Sequence, residues 1–136
     1  MTDSTAEYAR LVPFLPVTDV ASALSFYEAV FGLSRTNLNT QDGRIVHAEL
    51  RDGERVVLML APEGIHSPAS RAPAAGGGVS PTEIQIRVDD AGRAWDTALS
   101  HGARGERPPR DVPWGERHAH IIDPDGHRWL LSQVLR

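Results

Sequence analysis

PVTDVASALSFYEAVFGL, residues 16–33, is the stretch that decides the fold, because residues 86–103, IRVDDAGRAWDTALSHGA, repeat its pattern. In each copy the end of a strand leads into a helix with a short polar cap, an apolar stripe at helical spacing and a glycine stop. The caps and stops are Thr18 or Asp19 with Gly32, and Asp89 or Asp90 with Gly102. The stripes are Ala23, Phe26, Tyr27, Val30 and Phe31 in the first copy, and Ala94, Trp95, Ala98 and Leu99 in the second.

The segments that follow the two helices also correspond. Residues 52–60, DGERVVLML, and residues 125–133, DGHRWLLSQ, both place an Asp-Gly turn before an apolar strand. Each half therefore reads strand, helix, strand, strand, strand. We predict one domain over residues 1–136, with a first module at about 10–61 and a second at about 81–134. The segment 62–80 between them is rich in Pro, Gly, Ala and Ser, which favours a flexible linker or a mobile flap over a site.

Composition narrows the class of protein. The chain has 136 residues, a formal net charge of −4 and 40% hydrophobic residues, as expected of one globular domain. Cysteine is absent, which excludes disulfides and thiolate metal sites. There is no basic patch for nucleic acid and no apolar run of ~18 residues for a membrane span. The N-terminus lacks the regions of a secretory signal, so we expect a cytoplasmic protein.

Strand alternation predicts that each sheet has a face turned away from its helix and that this face mixes polar with large apolar groups. Such a mixture is typical of a small-molecule pocket, although a partly buried dimer face has a similar make-up. Trp114 either stacks on a flat or cationic ligand or packs against the sheet rim. His127, next to a turn, is expected at the surface or the sheet edge. The predicted ligand-binding residues are Phe14, His47, Glu49, Met59, Glu83, Gln85, Arg87, Trp114, His118, His120 and Leu130.

Three stretches resemble the vicinal oxygen chelate superfamily, which includes glyoxalases, ring-cleaving dioxygenases, fosfomycin-resistance enzymes and bleomycin-resistance proteins. They are VPFLPVTDVASALSFYEAVFGLSR at 12–35, DGRIVHAELRDGERVVLML at 42–60 and PWGERHAHIIDPDGHRW at 113–129. The chain looks most like bleomycin-resistance proteins and the PhnB-like glyoxalase-domain proteins. The resemblance implies an α+β fold of two tandem βαβββ modules whose curved mixed sheets form a cleft. It also implies a homodimer, in which the cleft forms within one chain or between two.

Enzymes of that superfamily hold a divalent cation with His, Glu or Gln at fixed strand positions. Carried onto this sequence, the resemblance places those positions at Val12, Val57 or Met59, Glu83 and Leu130. Only Glu83 offers a suitable ligand, so the resemblance implies that the usual metal site is lost. We therefore expect no metal and no cofactor.

The histidines leave two further possibilities. His118 and His120 share a strand face, and with Glu83 and His47 they could form a substitute metal site. Same-face neighbours stand ~7 Å apart, farther than two ligands of one ion. The same groups could instead transfer protons, with His47 beside Glu49, or Glu83 beside His118 or His120. Arg87 could neutralise Glu83 or Glu49, so the sign of the ligand's charge is open.

Our hypothesis is a metal-independent protein that binds a small organic molecule and sequesters a drug or natural product. An enzyme is not favoured. The alternative is a glyoxalase-like lyase or isomerase that uses a noncanonical metal or His/Glu acid–base chemistry. A third class, a scaffold with a vestigial cleft, would bind no small ligand.

Overall fold

The structure is a computed structural model that describes residues 7–136. The chain divides into two compact units, and the boundary between Ala72 and Pro73 lies inside the segment 62–80 that separates the sequence repeats. Each unit contains one helix and one mixed sheet. The tandem modules that the repeat predicts, and the α+β class that the resemblance implies, are therefore confirmed. Among the described residues, no helix is long and apolar enough to cross a membrane.

The first unit contains a five-stranded sheet and one helix. Strands β1 and β2 both run parallel to β5, and the sheet order is β1-β5-β4-β3 with β2 also beside β5. The other pairings, β3 with β4 and β4 with β5, are antiparallel. The elements are β1 (Glu7–Tyr8), β2 (Phe14–Val17), α1 (Val20–Phe31), β3 (Ser34–Gln41), β4 (Arg44–Asp52) and β5 (Arg55–Pro62).

The second unit repeats this plan after a short 3-10 helix at Pro73–Gly76. Its four strands have the order β6-β9-β8-β7, with β6 parallel to β9 and the remaining pairs antiparallel. The elements are β6 (Glu83–Arg87), α2 (Ala91–Ser100), β7 (Arg104–Val112), β8 (Glu116–Ile122) and β9 (Arg128–Val134).

Both helices begin at an aspartate. The Asp19 carboxylate accepts from the Ser22 amide at 2.9 Å, and the Asp90 carboxylate accepts from the Arg93 amide at 3.0 Å. Each bond satisfies one amide of a first helical turn that has no partner inside the helix. Of the two caps that the sequence allowed in each copy, the structure uses the second.

Most residues of the apolar stripes are buried, Phe31 and Trp95 are half-buried, and Leu99 is an exception. Ala23, Phe26, Tyr27 and Val30 of α1 are buried, as predicted. In α2 the buried residues are Ala91, Ala94 and Ala98, whereas Leu99 is 39% exposed. The prediction that Leu99 belongs to the core stripe is wrong, because consecutive helical residues point in directions ~100° apart and Ala98 already faces the sheet.

The turn before β9 contradicts a second expectation, since His127 is 5% exposed rather than at the surface or edge. The Asp123 carboxylate accepts from the His127 amide at 3.0 Å and from the Trp129 indole at 2.9 Å, which holds the turn in the core. The Ala74 amide donates to the Asp125 carbonyl at 2.9 Å and covers the turn from outside. A Cβ on Gly126 would stand 2.6 Å from the Ala74 nitrogen, so this approach requires glycine.

The segment between the repeats is held by hydrogen bonds within each unit. In the first unit the Glu63 carboxylate accepts from the Ala72 amide at 2.9 Å. In the second unit the Ser80 amide donates to the Gly126 carbonyl at 2.8 Å. These contacts involve backbone groups, and the composition of the segment gave no sign of them.

Candidate functional site

We call the side of each sheet opposite its helix the polar face of that unit. On the polar face of the first unit, strand register places Phe14, Met59, Glu49 and Thr36 in one row across β2, β5, β4 and β3. Leu58, Leu60, Ala48 and Leu50 point to the opposite side and are buried in the core. Three predicted ligand-binding residues of this unit, Phe14, Glu49 and Met59, therefore lie side by side.

The polar face of the second unit is built from three parallel rows. Glu83, Arg128, Ile122 and Arg104 form the first row, across β6, β9, β8 and β7. The middle row is Gln85, Leu130, His120 and Arg107, and the third is Arg87, Ser132, His118 and Arg110. The predicted residues of β6, β8 and β9 thus share one surface, and β7 adds a column of arginines to it.

A buried carboxylate, that of Glu49, is the centre of the first unit's polar face. Glu49 is 4% exposed, and it accepts from the Tyr8 hydroxyl at 2.8 Å and the Asn37 side-chain amide at 2.7 Å. The His47 Nε2 lies 2.9 Å from its other oxygen and donates in the tautomer that carries the proton there. Burial alone would raise the pKa of Glu49, but the hydrogen bonds from Asn37, His47 and Tyr8 outweigh it and lower the pKa.

Aromatic rings adjoin this carboxylate. The Phe14 ring meets the His47 ring edge-on, with 5.5 Å between centroids, and the His66 ring in the same way at 5.0 Å. Phe14 is 42% exposed, so much of its apolar surface is available to a ligand. The first unit thus combines an ionised, hydrogen-bonded acid with an accessible aromatic surface.

A second carboxylate, Glu116, organises one edge of the second unit's polar face. It lies 2.8 Å from the His118 Nε2 and 3.5 Å from the Arg87 guanidinium. The hydrogen bond from His118 is the main reason that the pKa of Glu116 is lowered. Within this unit Arg87 therefore pairs with Glu116 rather than with Glu83. Of the two histidines predicted beside Glu83, His118 contacts Glu116, and His120 makes the predicted contact. In a strand, residues two apart share a face, which favours Glu116 as the partner of His118.

Trp114 lies beside this cluster rather than inside the protein. Its indole donates to Glu116 at 3.3 Å, and its ring meets the His118 ring edge-on at 5.7 Å between centroids. Trp114 is nevertheless 67% exposed, so most of its surface is open to solvent. Stacking on a ligand, one of the two roles predicted for Trp114, needs such a surface.

A third carboxylate, Glu83, is paired with both a histidine and an arginine. Its Oε2 lies 2.7 Å from the His120 Nδ1 and 3.6 Å from the Arg128 guanidinium. Arg128 also contacts Glu106 at 3.1 Å. One ligand atom from each of Glu83, Glu106 and His120 falls within a group no wider than 4.8 Å, a spacing that could hold a metal ion.

The residues do not fit the metal site that the resemblance implies. Val57 or Met59 at one position and Leu130 at another offer only hydrocarbon or thioether, and the third position, Val12, is a hydrocarbon in the loop before β2. At the remaining position, Glu83 already accepts from His120 and faces the fixed positive charge of Arg128. A divalent cation would have to displace that guanidinium or share its partners.

Several residues of these clusters escaped sequence reasoning. Asn37 lies where the pairing of β3 with β4 shifts register, and Glu106 lies where the pairing of β7 with β8 does. Asn37 also has a positive φ of 52°. Alternation cannot assign a face to residues in such bulges. Tyr8 lies on a two-residue strand that has no pattern to read. Glu116 did carry a signal, since it precedes His118 by two positions, the spacing that joins His47 and Glu49.

Comparison with known proteins finds similar sequences and structures along most of the chain. A profile of the Glyoxalase/Bleomycin resistance protein/Dioxygenase superfamily matches residues 7–131. An uncharacterized protein of Mycobacterium bovis is 34% identical over 128 residues, which cover 93% of this chain and 84% of that protein. The crystal structure of TioX from Micromonospora sp. ML1 is 26% identical with a TM-score of 0.68, covering 94% of this chain and 98% of TioX.

A protein from Pseudomonas aeruginosa is similar in structure. Its TM-score is also 0.68, at 21% identity, and the match covers 94% of this chain and 99% of that protein. At this identity the likeness concerns the fold alone.

Proposed function

The chain belongs to the Glyoxalase/Bleomycin resistance protein/Dioxygenase superfamily, and on that premise we propose that it binds a small organic molecule without a metal ion. The observation that carries the proposal is that the three carboxylates of the polar faces are already hydrogen-bonded. Glu49, Glu83 and Glu116 each accept from donors of their own unit. None is a free ligand for a cation, and the other family metal positions carry hydrocarbon or thioether side chains.

The accessible surface of the polar faces supports an organic ligand. Phe14 and Trp114 are 42% and 67% exposed, and Met59 and Leu130 are half-buried. Met59 lies beside Glu49, and Leu130 lies between Gln85 and His120. Apolar surface with a few fixed polar groups gives affinity through burial and orientation through hydrogen bonds. We propose that the ligand is a drug or natural product, which the protein sequesters in the cytoplasm as a homodimer.

Binding with chosen variants tests the proposal. Chelator-treated protein is screened against drug-sized compounds by thermal shift, and each hit is titrated calorimetrically. Phe14→Ala should weaken binding of a ligand held by the first unit and Leu130→Ala that of a ligand held by the second, because each removes apolar contact surface. Leu99→Ala is the matched control, since Leu99 is 39% exposed on the outer side of α2 and should leave affinity unchanged. Equal affinity in all three variants would contradict the placement of the site.

One observation favours a second candidate, a lyase or isomerase with a noncanonical metal. Glu83, Glu106 and His120 are close enough to ligate one ion, but Arg128 lies 3.1 Å from Glu106 and 3.6 Å from Glu83. Titration with Zn²⁺, Ni²⁺ and Mn²⁺ separates the two candidates. Stoichiometric metal in the wild type that is lost in His120→Ala favours the enzyme. Metal that binds only in Arg128→Met shows that the guanidinium blocks the site and favours metal-free binding.

A further inference from the structure

Two buried side-chain nitrogens of the described residues have no hydrogen-bond partner, Arg110 Nη1 and His120 Nε2. Buried donors and acceptors are nearly always paired, because leaving one unpaired costs about 1–3 kcal/mol. Both atoms belong to the polar face of the second unit, on the neighbouring strands β7 and β8. Two such defects in one place point to a missing partner shared by both.

Strand register shows that the two side chains can reach a common ligand. Arg110 pairs with His118, and His120 lies two positions further along β8 on the same face. Arg110 and His120 are therefore diagonal neighbours, whose Cα atoms stand ~7–8 Å apart in an antiparallel pair. A guanidinium and an imidazole can span that distance and contact neighbouring oxygens of one small group.

The charges of the surrounding side chains select the ligand's sign. The carboxylates of this face are occupied, Glu83 and Glu106 by Arg128 and Glu116 by Arg87. Arg104, Arg107 and Arg110 of β7, by contrast, have no acidic partner within 4.0 Å among residues 7–136. The β7 side of the polar face therefore carries uncompensated positive charge.

The two unpaired nitrogens are buried, but arginine side chains of the same face reach solvent. Arg104 and Arg107 are exposed, and Arg110 is half-buried, so an anion can be drawn along the strand and held by the innermost guanidinium. The Arg fork donates two parallel hydrogen bonds to a carboxylate or phosphate. His120 Nδ1 faces the Glu83 carboxylate at 2.7 Å, which leaves Nε2 to accept from a ligand hydroxyl or, when protonated, to donate to a ligand oxygen.

We propose that the second unit binds an oxyanion, a carboxylate or a phosphate, through Arg110, while a hydroxyl of the same ligand donates to His120 Nε2. This inference rests on the proposed function, because it names the charged group by which the small organic ligand is held. It assigns the ligand a negative charge, the sign that the sequence left open. The apolar part of the same ligand would lie against Leu130 in the middle row, beside His120.

The test is a calorimetric titration of chelator-treated protein with benzoate, acetate, phenyl phosphate and inorganic phosphate at constant ionic strength. We expect saturable binding of at least one oxyanion, and the tighter of the carboxylate and phosphate arms identifies the source. Arg110→Met should weaken that binding about tenfold or more, since a charge-assisted bond is lost, and Arg110→Lys should weaken it less. Arg51→Met, which removes an exposed arginine of β4, is the matched control and should bind like the wild type.

Melting temperatures show whether the variants are folded. Arg110→Met should unfold at the same or a higher temperature than the wild type, because it removes an unpaired buried donor, and the oxyanion should raise the melting temperature of the wild type only. No saturable oxyanion binding, or equal affinity in folded Arg110→Met, would overturn the inference. If neutral ligands bind but oxyanions do not, the inference fails and the proposed function is retained. Oxyanion binding that needs a metal would refute the proposed function alone.

Discussion

Replacing Glu49 by glutamine tests whether the hydrogen-bond network of the first unit holds an ionised acid. The substitution keeps the shape of the side chain and removes its charge. Glu49 is 4% exposed and accepts three hydrogen bonds, at 2.7, 2.8 and 2.9 Å. Hydrogen bonds to a charged group stabilise by about 1.5–3 kcal/mol each, against about 1 kcal/mol for neutral pairs.

The expected change in the free energy of unfolding follows from these bonds and from two effects that reduce it. The Tyr8 contribution is discounted because Tyr8 is 44% exposed, and the cost of burying the charge disappears in the variant. We expect Glu49→Gln to lower the free energy of unfolding by about 1–3 kcal/mol at pH 7. Glu54→Gln, which removes the same charge from an exposed turn, should change it by less than about 0.5 kcal/mol.

The pH dependence distinguishes lost charge from lost packing. Because folding lowers the pKa of Glu49, its stabilisation is fully present above the ordinary glutamate pKa of about 4.3 and is lost as the pH falls through the lowered value. Urea unfolding of both proteins at a series of pH values should therefore show a difference that is largest near neutrality and shrinks in acid. A difference that does not change with pH, or a variant more stable at pH 7, would refute the reasoning.

Two further predictions concern packing and the partner of Glu49. A Cβ on Gly105 would stand 2.3 Å from the Trp95 ring, so Gly105→Ala should lower the free energy of unfolding by about 1–3 kcal/mol, whereas Gly76→Ala, with no atom within 4 Å, should be nearly neutral. Urea denaturation measures both, and equal stability of the two variants would show that the ring moves aside freely. The hydrogen bond to Glu49 raises the pKa of Tyr8, so the Tyr8 contribution to stability is present below pH ~10 and is lost as the pH rises through the raised value. Glu49→Gln should therefore lower the pKa of Tyr8 in a phenolate absorbance titration, with Tyr8→Phe as the blank, and an unchanged titration would contradict the contact.

The repeated elements were predictable because their signals are local. Aspartate caps, helical stripes and two-residue alternation each act over a few neighbouring residues, and they placed His47, Glu49, His118 and His120 on the correct strand faces. The same order of signals occurs twice, which predicted the tandem modules of the fold.

The predicted contacts of His47 with Glu49 and of His120 with Glu83 are observed. The partners of the arginines were not predictable, because they depend on contacts between distant strands. Arg87 on β6 contacts Glu116 rather than Glu83, because its side chain reaches across β9 to Glu116 on β8. Register shifts in β7 place Glu106 and Arg110 where alternation gives no face. His127 is buried because the Asp123 carboxylate accepts from its backbone amide and holds the turn in the core. The Pro-Asp-Gly sequence beside His127 does not predict this contact.

The most direct test of the central claim is a titration of isotope-labelled protein, freed of metal by a chelator, with the small molecules that bind it, followed by amide correlation spectra. We predict saturable shifts in the strands of a polar face, β4 and β5 or β8 and β9, at a fixed stoichiometry, with the ligand recovered unchanged and no effect of added Zn²⁺. Binding that begins only when a divalent cation is added, or a ligand that is converted during the titration, would contradict a metal-independent binding protein.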